Sequence, residues 1–100
     1  MNNNVYQIEI AGIDFFSSLD EEFFFEWLNK ISCIKEIQGK GLSIFLSVDL
    51  NLANEDDVRN LIGLYGRYEI DMEPLVVFDM DEFSDWFRSK EAFWYKSIFK

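Results

Sequence analysis

The chain has 100 residues and is 49% hydrophobic, which is sufficient to bury the core of one domain. Acidic residues outnumber basic ones by 19 to 9, giving a net charge of −10. We therefore expect no direct binding of nucleic acid, because that binding depends on Lys and Arg contacts to phosphates. The chain has no histidine, which excludes Ser-His-Asp triads, HExxH zinc sites and imidazole general bases.

The composition also bears on domain organisation and compartment. Residues 1–100 show no repeat, low-complexity tract or linker, which indicates a single domain. Cys33 is the only cysteine, so no intrachain disulfide can form, in keeping with a reducing environment. We see no secretory signal and no apolar run near the ~18–20 residues of a membrane span. We expect a cytoplasmic protein with no membrane segment.

The first half of the chain predicts three strands and one helix. Apolar and polar residues alternate in the strands, and Ser18 stands three residues before Glu21, as in a capping box. The two glycines Gly39 and Gly41 favour a hairpin turn. The predicted elements are a strand at 5–11, a helix at 18–30, a second strand at 33–38, a turn at 39–41 and a third strand at 42–48.

The second half predicts a helix, a strand and a helical tail. Asn54 is a suitable N-cap for the helix, whose apolar residues Val58, Leu61, Ile62 and Tyr65 recur at helical spacing. A short apolar run after a proline is typical of a buried strand. The predicted elements are a helix from Asn54 to about Tyr68, a strand at 75–78, and a tail capped by Asp79 or Asp81 and broken near Ser89.

The resulting order is β-α-β-β-α-β-α, which defines an α+β domain. Its first six elements match the split βαβ arrangement of ferredoxin-like folds. The remaining residues form a C-terminal helical extension of that fold.

Asp79-Met80-Asp81 is the one motif that points to catalysis or metal binding. It resembles the DxD of haloacid-dehalogenase phosphatases, but the 19 residues that follow are too few for the other catalytic elements. As a calcium loop it fails, because Ser84 stands where glycine is required and Lys90 where glutamate is required. We therefore predict no catalytic residue, no metal and no cofactor, and we do not expect an enzyme.

Charge placement is the first feature that indicates a binding function. The stretch from Tyr68 to Phe87 holds seven acids and no base. An excess of one charge costs folding stability through self-repulsion. A positively charged partner would explain why the chain carries this excess. Helix capping and solubility are the simpler explanation. The predicted partner-binding residues are Tyr68, Glu69, Asp71, Glu73, Asp79, Asp81, Glu82, Asp85 and Trp86.

Aromatic residues are the second such feature, at 18% of the chain. Phe23, Phe24 and Phe25 follow one another on a predicted helix and span about 200° of its circumference. They either pack between the sheet and the C-terminal helix or leave an aromatic surface for a partner. Cys33 is interpreted as a small core or half-buried residue rather than a reactive thiol.

Four segments resemble small immunity proteins of bacterial contact-dependent growth inhibition systems. They are Gly12-Ile13-Asp14-Phe15, the run 22–28, the run 68–72 and Ala92-Phe93-Trp94-Tyr95-Lys96. The resemblance implies a protein that binds and blocks the C-terminal toxin domain, often a nuclease, that a sibling cell delivers.

We therefore expect a stoichiometric inhibitor that forms a 1:1 complex with a toxin domain bearing a basic cleft. Carboxylates would occupy the cleft, and buried aromatic contacts would slow release. Two alternatives remain open at this point. The protein could be an acidic mimic of nucleic acid that blocks a host nucleic-acid-binding protein, or an adaptor that uses its aromatic surface.

Overall fold

The computed structural model describes residues 4–99 and has the α+β architecture that the sequence predicts. A three-stranded antiparallel sheet packs one face against two long helices. The elements are β1 (Val5–Ala11), α1 (Ser18–Asn29), β2 (Ile34–Lys40), β3 (Ser43–Asp49), α2 (Glu55–Arg67), two 3-10 helices (Glu73–Phe78 and Asp81–Phe83), and the short helices α3 (Ser84–Phe87) and α4 (Tyr95–Ile98).

The sheet has the order β1-β3-β2, with β3 antiparallel to both neighbours. β1 and β2 are thus parallel, joined through α1, with β3 between them, which is the split βαβ unit that was predicted. Leu46 pairs with Ile8 on one side and Ile37 on the other. Alternate residues such as Ile10 and Leu46 are buried beneath the core side chains of the helices, including Phe24.

Several predicted boundaries shift by one or two residues. Gly39 and Lys40 belong to β2, because their pairing with β3 continues, and the hairpin turns at Gly41 with a φ of 60°. Ser17, not Ser18, caps α1 by accepting a hydrogen bond from the Asp20 N–H. The predicted cap at Asn54 is confirmed by a 2.8 Å bond from the Asp57 N–H.

The predicted fourth strand is wrong, and the ferredoxin-like topology is incomplete for that reason. Residues Glu73–Phe78 form a 3-10 helix with Pro74 in its first turn. Leu75 and Phe78 are three residues apart, so the three-residue period of this helix buries both on one face. Within residues 4–99, the outer edge of β1, where a fourth strand pairs in that topology, has no neighbouring strand.

The C-terminal tail is helical and interrupted, as predicted. α3 ends at Phe87, and the chain turns before α4, where the Trp94 indole N–H donates to the Phe87 carbonyl at 2.8 Å. The predicted capping by Asp79 or Asp81 is wrong, since neither side chain bonds to a helix N-terminus; Asp79 instead binds Arg88. No helix among residues 4–99 is long and apolar enough to cross a membrane.

Candidate protein-interaction site

A groove of about 690 Å³ lies between the end of β1 with its following loop and the C-terminal end of α2 with its following loop. Among the described residues that line it, Arg67 alone is basic, so five carboxylates and one guanidinium leave a net charge of −4. We call it the acidic groove. Its carboxylates belong to Glu9, Asp14, Asp20, Glu69 and Asp71.

The first wall of the acidic groove begins at β1. Because side chains alternate along a strand, Glu9 faces away from the buried side that holds Ile8 and Ile10. Its carboxylate accepts a 2.6 Å hydrogen bond from the hydroxyl of Ser43 on β3. Gly12 then takes a φ of 66°, a left-handed conformation that suits glycine, and the chain leaves the sheet.

The start of α1 completes this wall and exposes an aromatic ring. The Asp20 carboxylate accepts a 2.9 Å hydrogen bond from the Phe16 N–H, while the Asp20 N–H donates to the Ser17 hydroxyl. These bonds fix the loop against the helix. The Phe16 side chain lines the groove and is 93% exposed. A large exposed aromatic beside a groove is typical of residues that anchor protein interfaces.

The second wall is built by the C-terminus of α2, which ends in a Schellman motif. The Ile70 N–H donates to the Tyr65 carbonyl at 2.8 Å, and the Glu69 N–H donates to the Gly66 carbonyl at 3.3 Å. Glu69 takes the left-handed position of this motif, with a φ of 56°, where glycine is usual. The turn therefore places the Glu69 carboxylate at the groove on a strained backbone.

Tyr68 gives the second wall a rigid base. Its ring packs edge-on against Phe24 at a centroid distance of 5.0 Å and against Phe15 at 6.3 Å. Its hydroxyl donates to the Asp20 carbonyl at 3.3 Å, which joins the two walls. Desolvation and the neighbouring Asp20 carboxylate raise the pKa of Tyr68 above its usual value, so the hydroxyl stays a neutral donor.

The carboxylates of the acidic groove differ in how far the chain itself engages them. Glu9 and Asp20 each accept a hydrogen bond from within the chain. Neither Asp14 nor Glu69 has a side-chain hydrogen bond or ion pair with any other described residue. These two carboxylates are thus open to a cationic group from outside.

The structure divides the predicted binding residues into separate groups. Tyr68, Glu69 and Asp71 line the acidic groove, and Glu73 is exposed beside the lining residue Pro74. Asp79 forms a bidentate pair with Arg88, with N–O distances of 2.6 and 2.8 Å. Trp86 is half-buried and stacked under Arg59. Asp81, Glu82 and Asp85 are exposed on the tail.

Sequence reasoning missed the first wall of the acidic groove. Glu9, Asp14 and Asp20 are scattered over the first 20 residues, and Phe16 looked like one aromatic among many. The only available signal was that Asp14 falls in one of the segments that carry the family resemblance.

Cys33 carries the one thiol of the chain and does not line the acidic groove. Among the described residues, no cluster of three His, Cys, Asp or Glu side chains could hold a metal ion. Cys33 is fully buried, which confirms its predicted place in the core. Burial and the nearby Asp57 carboxylate raise the pKa of its thiol to about 12, so the thiol is protonated.

Comparison of the chain with models of protein families, with curated proteins and with solved structures finds no match.

Proposed function

We propose that the protein is an immunity-type inhibitor that acts in the cytoplasm. It binds, in a 1:1 complex, the C-terminal toxin domain of a contact-dependent growth inhibition system and neutralises it without turnover. The resemblance in the sequence gives the class of partner. The observation that carries the proposal is the acidic groove, in which five carboxylates face one guanidinium around a space of about 690 Å³.

The charge of the groove fits a partner with a basic surface. A nuclease binds phosphate with lysine and arginine side chains, and carboxylates can take the positions that phosphates would occupy. Asp14 and Glu69 supply such carboxylates without first breaking an internal bond. The net charge of −10 would also accelerate encounter, since complementary fields can raise association rates to about 10⁸–10⁹ M⁻¹s⁻¹ at low salt.

The backbone strain at Glu69 also supports a binding role. A non-glycine residue in the left-handed region costs about 1–2 kcal/mol, and glycine would remove that cost. Strained residues of this kind gather at functional sites. A glutamate at this position is explained if its carboxylate contributes to binding.

Co-expression with the candidate toxin tests the proposal. The C-terminal domain encoded immediately upstream of this gene would be expressed in a bacterial host, with and without this protein. We expect the domain alone to arrest growth, co-expression to restore it, and the two chains to co-purify at 1:1. A toxic domain that this protein neither binds nor neutralises would contradict the proposal, as would the absence of any toxic neighbour.

The salt dependence of binding separates the alternatives. Capture by the acidic groove predicts an affinity that falls steeply between about 50 and 500 mM salt, because exposed charges are screened. Binding that is insensitive to salt would instead favour an adaptor with an aromatic interface. Binding to host nucleic-acid-binding proteins, in competition with DNA or RNA, would favour the mimic.

A further inference from the structure

The outer edge of β1 carries an unused set of backbone hydrogen-bonding groups. At the two ends of the β1–β3 ladder, the Leu50 N–H donates to the Asn4 carbonyl and the Gly12 N–H donates to the Leu42 carbonyl. In an antiparallel pair such bonds recur at every second residue, so the even-numbered residues of β1 bond to β3. The N–H and C=O groups of the odd-numbered residues therefore point outward; these residues are Val5, Gln7, Glu9 and Ala11.

The two edges of the sheet differ in how they are protected. Natural proteins block exposed edges with lysines, prolines or bulges. The β2 edge carries Lys35 and Lys40 and a register shift between Ile34 and Glu36. β1 contains no lysine and no proline, and it pairs with β3 through all seven residues without a bulge. The unprotected edge is thus the one beside the acidic groove.

The acidic groove lies along the C-terminal half of this open edge. Its lining includes the β1 residues Glu9, Ile10 and Ala11 but no residue of β3, which places it on the side of β1 away from the sheet. The facing wall, Arg67–Asp71 with Pro74, comes from the segment that precedes and enters the 3-10 helix. The space is therefore the position that a fourth strand takes in the complete ferredoxin-like topology.

We propose that the groove receives an extended, basic segment of the partner protein, which pairs with β1 as a fourth strand. This inference deepens the proposed function and rests on it for the identity of the partner. Backbone bonds to the outward groups of β1 supply the affinity, as in other cases of strand addition. Side chains supply the selectivity.

The lining defines the sequence that such a strand requires. Carboxylates such as Asp14 and Glu69 favour lysine or arginine, while Ile13, Ile70 and Pro74 offer apolar contacts. Side chains of a strand alternate between its two faces. A segment in which basic and apolar residues alternate therefore matches the groove better than a uniformly basic one.

A synthetic peptide tests this pairing without the toxin. The probe is a capped Lys-Val-Lys-Val-Lys-Val hexapeptide, and the matched control is Glu-Val-Glu-Val-Glu-Val. Amide hydrogen exchange is followed by NMR. We expect the lysine peptide to slow exchange at Gln7, Glu9 and Ala11 by at least ten-fold, and to leave Ile8 and Ile10, already bonded to β3, unchanged. The glutamate peptide should have no effect.

A proline at the edge provides a second, charge-neutral test. Ala11→Pro removes an outward N–H and should weaken binding of the lysine peptide at least ten-fold, whereas Ala11→Val keeps that group and should bind as the wild type does. Gly39→Pro at the β2 edge is the matched control. Gly39 also lies between residues bonded to β3, so this proline removes an outward N–H from the other edge and leaves β1 unchanged.

Three outcomes would overturn the inference: no binding of the lysine peptide, binding without protection of the outward amides, or equal binding by Ala11→Pro. None of these outcomes bears on the co-expression experiment, which tests toxin neutralisation separately. Conversely, protection of the edge by the peptide together with failure to neutralise any toxin would reject the proposed function alone.

Discussion

The guanidinium of Arg59 lies 4.3 Å from the ring centroid of Trp86. Arg59 projects from α2, and its Nε also binds the Glu55 carboxylate at 2.7 Å. The second tryptophan of the tail, Trp94, lies 5.9 Å from the same guanidinium. The long helix and the C-terminal tail are thus joined by a cation that stacks on two indoles. Trp86, a predicted partner-binding residue, thus contacts Arg59 within the chain.

Replacement of Arg59 should destabilise the fold through this stacking. We expect Arg59→Ala to lower the free energy of unfolding by about 1 kcal/mol, mainly through the cation–π contact, because the ion pair with Glu55 is exposed. Urea denaturation measures the change. A double-mutant cycle with Trp86→Leu should return a coupling of about 0.5–1 kcal/mol; a coupling near zero would show that the stacking contributes nothing.

Replacement of Asp57 should be more damaging, because this carboxylate is only 5% exposed. It accepts hydrogen bonds from the Ser32 N–H at 3.1 Å, the Ser32 hydroxyl at 2.8 Å and the Cys33 N–H at 3.2 Å. Asp57→Ala removes the acceptor of three hydrogen bonds, one of them from the buried Cys33 N–H, and should cost about 3 kcal/mol of unfolding free energy.

Asp56→Ala is the matched control for that measurement. Asp56 lies in the same first turn of α2, so the helix dipole acts on both positions, but its side chain is exposed. We expect a change within about 0.5 kcal/mol. Similar losses for the two variants in thermal or urea unfolding would mean that the buried bonds of Asp57 are not what stabilises this turn.

Glu69→Gly should stabilise the fold and weaken binding at the same time. Glycine relieves the left-handed strain but adds entropy to the unfolded chain, which leaves a net gain of about 0.5 kcal/mol. The same change removes a carboxylate from the acidic groove. Glu69→Ala is the control, since it removes the carboxylate and keeps the strain. Only the glycine variant should gain stability, and both should bind the partner more weakly; unchanged binding in both would exclude Glu69 from the interface.

Cys33 should make stability depend on alkaline pH. Its pKa of about 12 in the folded protein exceeds the value of about 8.5 in an unfolded chain. The folded state therefore retains the proton longer, and the stability from this group is present below about pH 8.5 and lost between about pH 8.5 and 12. The advantage of the wild type over Cys33→Ala in urea denaturation should shrink across that range. An advantage that stays constant would contradict the pKa difference.

Charge reversal at the acidic groove should weaken association with the proposed toxin partner. Asp14→Lys places a cation where the chain offers an unengaged carboxylate, and we expect at least a ten-fold loss of affinity with a slower association rate at low salt. Glu36→Lys on β2 is the control, because Glu36 is exposed and does not line the groove. Equal and small effects in folded variants, measured by surface plasmon resonance, would show that the charge is diffuse and that the groove is not the interface.

The sequence alone was sufficient for elements whose signal is local. β3 alternates with period two, and Asn54 stands before three acids, so both could be read directly. The strand at 75–78 could not, because a short apolar run after proline is compatible with a strand or a 3-10 helix. The burial of Leu75 and Phe78 on one face decides between them, and that burial depends on the tertiary packing.

The candidate site shows the same division. The sequence determined the net charge, the absence of histidine and the acidic run from Glu69 onward, because these follow from composition and order. Only the tertiary structure decided that Asp79 is neutralised by Arg88 and that Glu69 meets Asp14 across a groove. The physical reason is that electrostatic partners are set by distance in space. Asp14 and Glu69, 55 positions apart, line one groove, whereas Glu69 and Asp79, ten positions apart, have different neighbours.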